Sequence, residues 1–387
     1  MGTSGTETGR TDGGARQDAP PAGGGSARRG RSVFGDFRPH ELPRSIKTDV
    51  RSLYRFYLDE ERRAEIEKMR APKRVLALPL WLLRSLLLKL TPQRRTLLIL
   101  ALIVAFIGRF RFNFQEVVVS FDGSPWAFLM VLFVLALELK DKLLARDEIA
   151  VARQVQLAIL PSSDPPWPGY ALWSHTRPAN DVGGDLIDYI EEPSPRTLGV
   201  ALGDVAGKGL GAALLMAKLQ ASLRATAPGA PDLGSLGDRL NGILCRDGLD
   251  NRFATLFYLE APAGGGAVRF LNAGHNPPLV VRAASVELVE QASRPLGMFR
   301  DSTYTEGRLD LNPGDLLVVY SDGLVEARDL ADREFGLERL KTLVMSLRDR
   351  PPVEAGRVIL EAVDRFLGDD KPQDDLSLIL IQRSPAA

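Results

Sequence analysis

Short β-branched runs and longer amphipathic segments alternate along the C-terminal half of the chain. The runs RFATLFYLE, AVRFLNAG, PLVVR and DLLVVYS have the length and composition of β-strands. Apolar residues recur at helical spacing over 210–227, 233–248 and about 336–367, and a last strand-like run follows them. This order predicts antiparallel strands flanked by helices, which is an α+β fold.

The N-terminal part of the chain has a different pattern. Residues 1–35 are rich in Gly, Ala, Ser and Thr and hold almost no large apolar side chains, so we expect a disordered tail. The sequence of residues 36–93 predicts that this segment is helical. Within it, the leucine-rich stretch 74–90 indicates an interfacial helix on a membrane surface or, as the alternative, a helix packed on its neighbours.

Two wholly apolar runs joined by a short connection lie within residues 94–139. They cover 96–107 and 126–137, and each is shorter than the roughly 20 residues that span a bilayer, so a soluble helix pair is the alternative. Arg94 and Arg95 precede the first run, and further basic residues follow the second. This charge pattern favours a two-helix hairpin in the bacterial inner membrane, with the next domain in the cytoplasm.

A continuous helix is predicted for residues 138–160, because this segment contains no Gly or Pro. Its apolar stripe consists of Leu144, Val151, Val155 and Ile159. The prolines that begin at Pro161 end the helix, and the next domain is assigned to residues 161–387.

Composition narrows the classes of function. The chain has 387 residues, enough for two or three modules, and its 49 basic and 49 acidic residues cancel. A chain with no net charge gives no support to nucleic acid as a general partner. The single cysteine, Cys245, excludes an internal disulfide framework.

Four aspartates stand out because each lies at an end of an apolar run. They are Asp185, Asp204, Asp322 and Asp375. Each one alone is explained by ordinary turn chemistry, since Asp and Gly are frequent in turns. Together they predict carboxylates that converge from distant parts of the sequence. Such hard oxygen ligands select Mg²⁺ or Mn²⁺ over zinc or copper.

Six motifs occur in the order found in one known family. They are RPANDVGGDLIDYI, GDVAGKGLGAALLMA, FLNAGHNPPLVV, RPLGMF, YSDGLVEARD and QDDLSLILI. Through these motifs, roughly residues 150–383 resemble the SpoIIE/RsbU-type serine phosphatases, a branch of the metal-dependent protein phosphatase 2C family. The resemblance implies that the catalytic domain is a four-layer α/β/β/α sandwich.

The same resemblance implies a protein serine/threonine phosphatase that uses two divalent cations, Mn²⁺ or Mg²⁺, to activate a water. Its substrate would be phosphoserine on an anti-anti-sigma-factor-like regulatory protein. In the family, the helix that corresponds to residues 138–160 can pair with its copy, which implies a homodimer. The alternative function is a catalytically silent, membrane-tethered module that binds such a partner.

The resemblance assigns unequal roles to the aspartates. Asp204 would bridge both metals, with the backbone carbonyl of Val205 beside it. Asp185 would bind one metal, directly or through water. Asp322 and Asp375 would bind the other.

Two further residues allow more than one interpretation. In QDDLS, strand alternation puts Asp374 on the leucine face of the last strand and Asp375 on the opposite face, and the family pattern favours Asp375 as the ligand. His275, in NAGHNPP, is either a structural hydrogen-bonding residue or an acid that protonates the leaving serine oxygen. We include His275 with Asp185 and Asp204 among the candidate catalytic residues.

Overall fold

The computed structural model describes residues 81, 84–85, 87–107, 109–114, 117–193, 196–247, 252–368 and 372–384. The predicted tail and most of the predicted helical segment 36–93 lie outside the described residues. The chain divides into two compact units, Met1–Val134 and Leu135–Ala387.

The described part of the first unit contains a helix, a β-hairpin and the beginning of a second helix, which continues into the second unit. Helix α1 spans Pro92–Ile107. Strands β1 (Arg109–Phe114) and β2 (Val117–Asp122) pair in antiparallel fashion, and α2 spans Ser124–Ile159. The two predicted apolar helices are therefore present, but a β-hairpin joins them.

Helix α2 is continuous over its 36 residues. The predicted limit between a membrane hairpin and a separate linker helix, near residue 139, corresponds to no interruption of the helix. After Pro125 the segment holds neither Gly nor Pro, so nothing in its sequence breaks the ladder of backbone hydrogen bonds.

No helix among the described residues is long and apolar enough to cross a membrane. The predicted two-helix membrane hairpin over residues 94–139 is therefore not supported.

Two antiparallel five-stranded sheets form the described framework of the second unit. The strands of the first sheet are, in spatial order, β10 (Gly307–Leu309), β7 (Val268–Ala273), β6 (Ala254–Pro262), β5 (Arg196–Val205) and β4 (Leu186–Pro193). Those of the second sheet are β3 (Tyr170–Arg177), β12 (Leu376–Arg383), β11 (Leu316–Tyr320), β8 (Leu279–Val281) and β9 (Val286–Leu288).

Helices cover the outer face of each sheet. On the first sheet lie α3 (Leu210–Thr226) and α4 (Leu233–Asp247), which bury side chains such as Leu219 and Leu240. On the second lie α6 (Leu337–Ser346) and α7 (Pro352–Leu367), which bury side chains such as Leu340 and Ile359. A short helix, α5 (Asp322–Val325), follows β11.

The inner faces of the two sheets share a third core. It contains Leu202 and Phe257 from the first sheet and Val319 and Ile379 from the second. The strands are thus buried on both sides, which explains why β12 is an almost unbroken apolar run rather than an alternating one. The predicted α+β fold is confirmed, with the four layers α/β/β/α that the resemblance implied.

Candidate metal centre

Asp185 and Asp204 form a buried pair at one edge of the first sheet. Asp185 directly precedes β4, Asp204 lies near the end of β5, and pairing of Leu186 with Gly203 brings the two acids together. Asp185 is buried, and its Oδ2 has no hydrogen-bond partner among the described residues. Burial and the Asp204 charge raise the pKa of Asp185 well above its ordinary value.

The second sheet contributes three more acids to the same cluster. Asp322 lies two residues beyond the end of β11, and Asp374 and Asp375 precede β12, which pairs with β11. Burial and the Asp374 charge raise the pKa of Asp322. Burial and the charges of these three acids raise the pKa of Asp204 to about 7, so the acids of both sheets converge.

Asp375 does not offer a free carboxylate. Its Oδ1 accepts a hydrogen bond from the Ala179 amide at 2.7 Å, and its Oδ2 accepts one from the Gly184 amide at 2.5 Å. Two charge-assisted bonds of this kind hold the segment that leads to Asp185. The bonds give Asp375 a positioning role, and its predicted role as a direct metal ligand stays a prediction.

Asp374 is the acid of the QDDLS motif that remains available. It is 43% exposed, and its Oδ2 lies 3.0 Å from the Lys208 ammonium. Lys208 also donates to the Gln373 carbonyl at 2.6 Å. The sequence prediction extended strand alternation to both acids, but β12 begins only at Leu376, so the alternation does not apply to them.

The Val205 carbonyl lies close to the segment that leads to Asp185. A Cβ atom at Gly184 would stand only 3.0 Å from this oxygen. Glycine therefore lets the segment before Asp185 approach the end of β5 closely. A larger residue at position 184 would cover the carbonyl.

These residues fit a divalent cation. No group of three or more described His, Cys, Asp or Glu side chains is arranged so that it could hold a metal ion as it stands. Nevertheless, Asp185 has a buried oxygen without a partner, and burial together with mutual repulsion raises the pKa values of three acids in the cluster. A cation would satisfy the oxygen and offset the repulsion, and carboxylate and carbonyl oxygens are ligands that Mg²⁺ and Mn²⁺ prefer.

His275 is a buried, neutral imidazole. Its Nδ1 lies 2.9 Å from the Thr255 hydroxyl, and burial lowers its pKa to about 4. A general acid must carry a proton near neutral pH, so the predicted leaving-group role of His275 disagrees with this environment. The alternative role of His275, as a structural hydrogen-bonding residue, fits this buried environment.

Gln156, on α2, contacts the site and was not predicted. Its side-chain amide donates to the Gly183 carbonyl at 2.8 Å and accepts from the Gly183 amide at 3.1 Å. Helix α2 is thereby tied to the segment that Asp375 holds. No local pattern marks Gln156, because glutamine is an ordinary helix former.

A cleft of about 370 Å³ opens beside Lys208. It is lined by Ile149, Asn180, Asp181, Val182, Lys208, Gly209 and Leu210. Since Lys208 contacts Asp374 and Val182 precedes the Gly183–Asp185 segment, the cleft borders the acidic cluster.

Comparison with known proteins agrees with these features. Residues 194–384 match the family described as Stage II sporulation protein E (SpoIIE). The chain is 27% identical to Protein IcfG of Synechocystis over 280 residues, which are 65% of this chain and 44% of that protein. It is 24% identical to Phosphoserine phosphatase RsbU of Bacillus subtilis over 242 residues, which are 62% of this chain and 70% of RsbU. The chain thus spans less than half the length of IcfG.

Among solved structures, the SiaA-PP2C domain of Pseudomonas aeruginosa has a similar fold. The TM-score is 0.55 at 19% identity, and the match covers 63% of this chain and 99% of that domain. At this identity the likeness concerns the fold alone. The family match contains four of the five acids of the cluster, Asp204, Asp322, Asp374 and Asp375, and residues 194–384 therefore form a domain of the SpoIIE family.

Proposed function

We propose that this chain is a Mn²⁺- or Mg²⁺-dependent protein serine/threonine phosphatase. The observation that carries the proposal is that acids of the second sheet lie close enough to Asp204 to raise its pKa, while the neighbouring Asp185 has a buried carboxylate oxygen without a partner among the described residues. The name of RsbU, a phosphoserine phosphatase, supports phosphoserine as the substrate group. As protein substrate we propose an anti-anti-sigma-factor-like regulator, the class that the family resemblance implies.

Asp204 and the Val205 carbonyl are the proposed central ligands. Asp185 joins them from the first sheet, and Asp322 and Asp374 join them from the second. When bound, two divalent cations would lower the pKa of a water and offset the charge of the phosphoryl group. Asp375 is proposed to position the segment before Asp185 instead of binding a cation.

Lys208 has a proposed role in substrate approach. Its ammonium is half-exposed, borders the cleft and contacts Asp374 at the edge of the cluster. A cation at this position attracts a dianionic phosphoserine towards the centre. We assign no proton-donor role to His275, because its imidazole is buried and neutral.

The decisive experiment measures phosphate release from a phosphoserine protein of the anti-anti-sigma-factor class, with and without Mn²⁺. The parent chain is expected to require Mn²⁺. Asp204→Asn is expected to lose more activity than the roughly 10–100-fold that is typical when an outer-shell partner is removed. Asp310→Asn, an exposed aspartate after β10, is the matched control and should act like the parent.

The outcomes separate the two functions. Full activity in Asp204→Asn would contradict the proposed centre. A parent chain that retains the phosphoprotein in a pull-down but never dephosphorylates it, with Mn²⁺ or Mg²⁺ present, would favour the silent binding module.

A further inference from the structure

His275 lies on the connection between the two sheets. Strand β7, in the first sheet, ends at Ala273, and β8, in the second sheet, begins at Leu279. Gly274 turns the chain with a φ of 71°, a conformation that favours glycine. Asn272 then fixes the backbone of His275 from both sides, because it accepts from the His275 amide at 2.8 Å and donates to the His275 carbonyl at 3.1 Å.

On one side, the imidazole contacts the strand that holds Asp204 in place. Nδ1 lies 2.9 Å from the hydroxyl of Thr255 on β6. Thr255 is the residue that pairs with Asp204 across the β5–β6 ladder, and its hydroxyl lies 3.4 Å from the Asp204 carbonyl. A displacement of Thr255 is thus transmitted to Asp204 through the strand pairing.

On the other side, the imidazole faces the strand that leads to Asp322. It interacts with the backbone carbonyl of Tyr320, the last residue of β11. The contact is not a well-formed hydrogen bond, since Nε2 has no partner of good geometry among the described residues. Asp322 lies two residues further along the chain.

The tautomer follows from these two neighbours. A neutral imidazole carries one proton, and a carbonyl only accepts hydrogen bonds. Nε2–H therefore points at the Tyr320 carbonyl, and Nδ1 accepts from the Thr255 hydroxyl. The lowered pKa of His275 keeps the ring in this neutral form. We call the contacts from Thr255 through His275 to Tyr320 the His275 bridge.

We propose that His275 is a positioning residue whose bridge between the two sheets sets the separation of Asp204 and Asp322 and thereby the affinity of the centre for divalent cations. The inference rests on the proposed metal centre. It goes beyond the proposed function because it names a residue that would contact neither cation nor substrate.

The first test measures Mn²⁺ binding by calorimetry on the full chain at pH 7.5. His275→Ala is expected to weaken Mn²⁺ binding by about tenfold or more, the scale known for partners that orient metal ligands. His275→Gln, which keeps one donor and one acceptor, should lie between His275→Ala and the parent. Val268→Ala removes buried volume at the far end of β7 and should bind Mn²⁺ within about twofold of the parent, in line with additive effects at distant sites.

Thr255→Val tests whether His275 acts on the metal centre through Thr255. It removes the hydroxyl but keeps the shape of the side chain. If His275 acts through Thr255, the double variant His275→Ala/Thr255→Val should bind Mn²⁺ no more weakly than His275→Ala alone. Fully additive losses, or parent-like affinity in His275→Ala, would overturn the proposal.

A readout without metal separates this proposal from the proposed function. In the parent, the Ala206 amide donates to the Phe253 carbonyl at 2.9 Å, and the Ser321 amide donates to the Ser377 carbonyl at 3.0 Å. Hydrogen exchange of metal-free His275→Ala should be faster at both amides, while Val268→Ala leaves them unchanged. Unchanged exchange at both amides would overturn the bridge. Absence of Mn²⁺ binding in the parent, with faster exchange in His275→Ala, would contradict the metal centre and leave the bridge supported.

Discussion

The two neighbouring acids of QDDLS have different environments. Asp375 is buried and accepts two backbone amides, from Ala179 and Gly184. Asp374 is half-exposed; its Oδ2 meets a surface lysine, and its Oδ1 accepts a hydrogen bond from the Asp375 amide at 3.0 Å. A surface ion pair contributes little stability, so Asp374 can exchange Lys208 for another cation at small cost.

Substitution by asparagine should separate these two residues. Asp374→Asn is expected to weaken Mn²⁺ binding by about tenfold or more and to leave amide exchange over residues 178–186 unchanged. Asp375→Asn keeps one acceptor oxygen of the two, so exchange of the Ala179 or Gly184 amide should accelerate. Calorimetry and exchange mass spectrometry measure both effects. Asp375→Asn with weak Mn²⁺ binding and parent-like exchange would restore Asp375 as the direct ligand.

The raised pKa of Asp204, about 7, predicts a pH dependence of stability in the metal-free chain. A carboxyl group with a raised folded pKa binds more protons in the folded state than in the unfolded state. Stability is therefore lost as pH rises from the unfolded pKa of about 4 to the folded value near 7. Between pH 5 and pH 7.5, the denaturation temperature of the metal-free parent should fall relative to that of Asp204→Asn.

Metal binding should show the opposite trend. Because cations bind the ionised carboxylates, the rise in denaturation temperature on adding Mg²⁺ should be larger at pH 7.5 than at pH 5.5. Scanning calorimetry measures both trends. An Mg²⁺ effect that is equal at the two pH values would contradict the assignment of the raised pKa to a metal ligand.

At the scale of the element, the apolar stripe predicted for residues 138–160 lies on the surface of α2. Val151 is 60% exposed and Val155 is 57% exposed. Within residues 138–159 of this helix, the buried side chain is that of Gln156, at 6% exposure. The end of the same helix is held by Gln220 on α3, which donates to the Ile159 carbonyl at 2.8 Å.

Gln156→Ala is expected to lower Mn²⁺ affinity by about tenfold, because it frees Gly183 and thus the segment that carries Asp185. Gln154→Ala is the matched control, since Gln154 is an exposed glutamine of the same helix. Calorimetric Mn²⁺ titration of both variants measures the effect. Equal affinities in Gln156→Ala and Gln154→Ala would show that α2 does not support the centre.

At the scale of the whole molecule, the exposed stripe of α2 agrees with the predicted homodimer through residues 138–160, which stays a prediction. If this face pairs, Val151→Asp with Val155→Asp should shift the full chain towards monomer in sedimentation velocity. Neither change removes a buried contact, so folding should be retained. Ala150→Asp, an exposed change outside the stripe, should sediment like the parent. A parent chain that is monomeric at all concentrations would contradict the dimer.

The bacterial inner-membrane localisation also stays a prediction.

The sequence alone determined the α+β class of the fold and the position of the acids at the ends of strands, and the family resemblance implied the four layers. Runs such as β11 and β12 are apolar on both faces, and the aspartates occur where these runs begin or end, so local spacing was sufficient. The family motifs added the chemistry. The strand-alternation argument does not reach Asp374 and Asp375, because β12 begins only at Leu376.

Only the tertiary structure decided the individual roles within the site. Asp375 is engaged by amides 196 and 191 residues away, and Gln156 meets Gly183 across 27 residues. His275 contacts Thr255 on one sheet and Tyr320 on the other. Local spacing records where strands and helices begin and end, but hydrogen bonds to a distant backbone depend on which segments the fold brings together, and no periodicity of the chain encodes that.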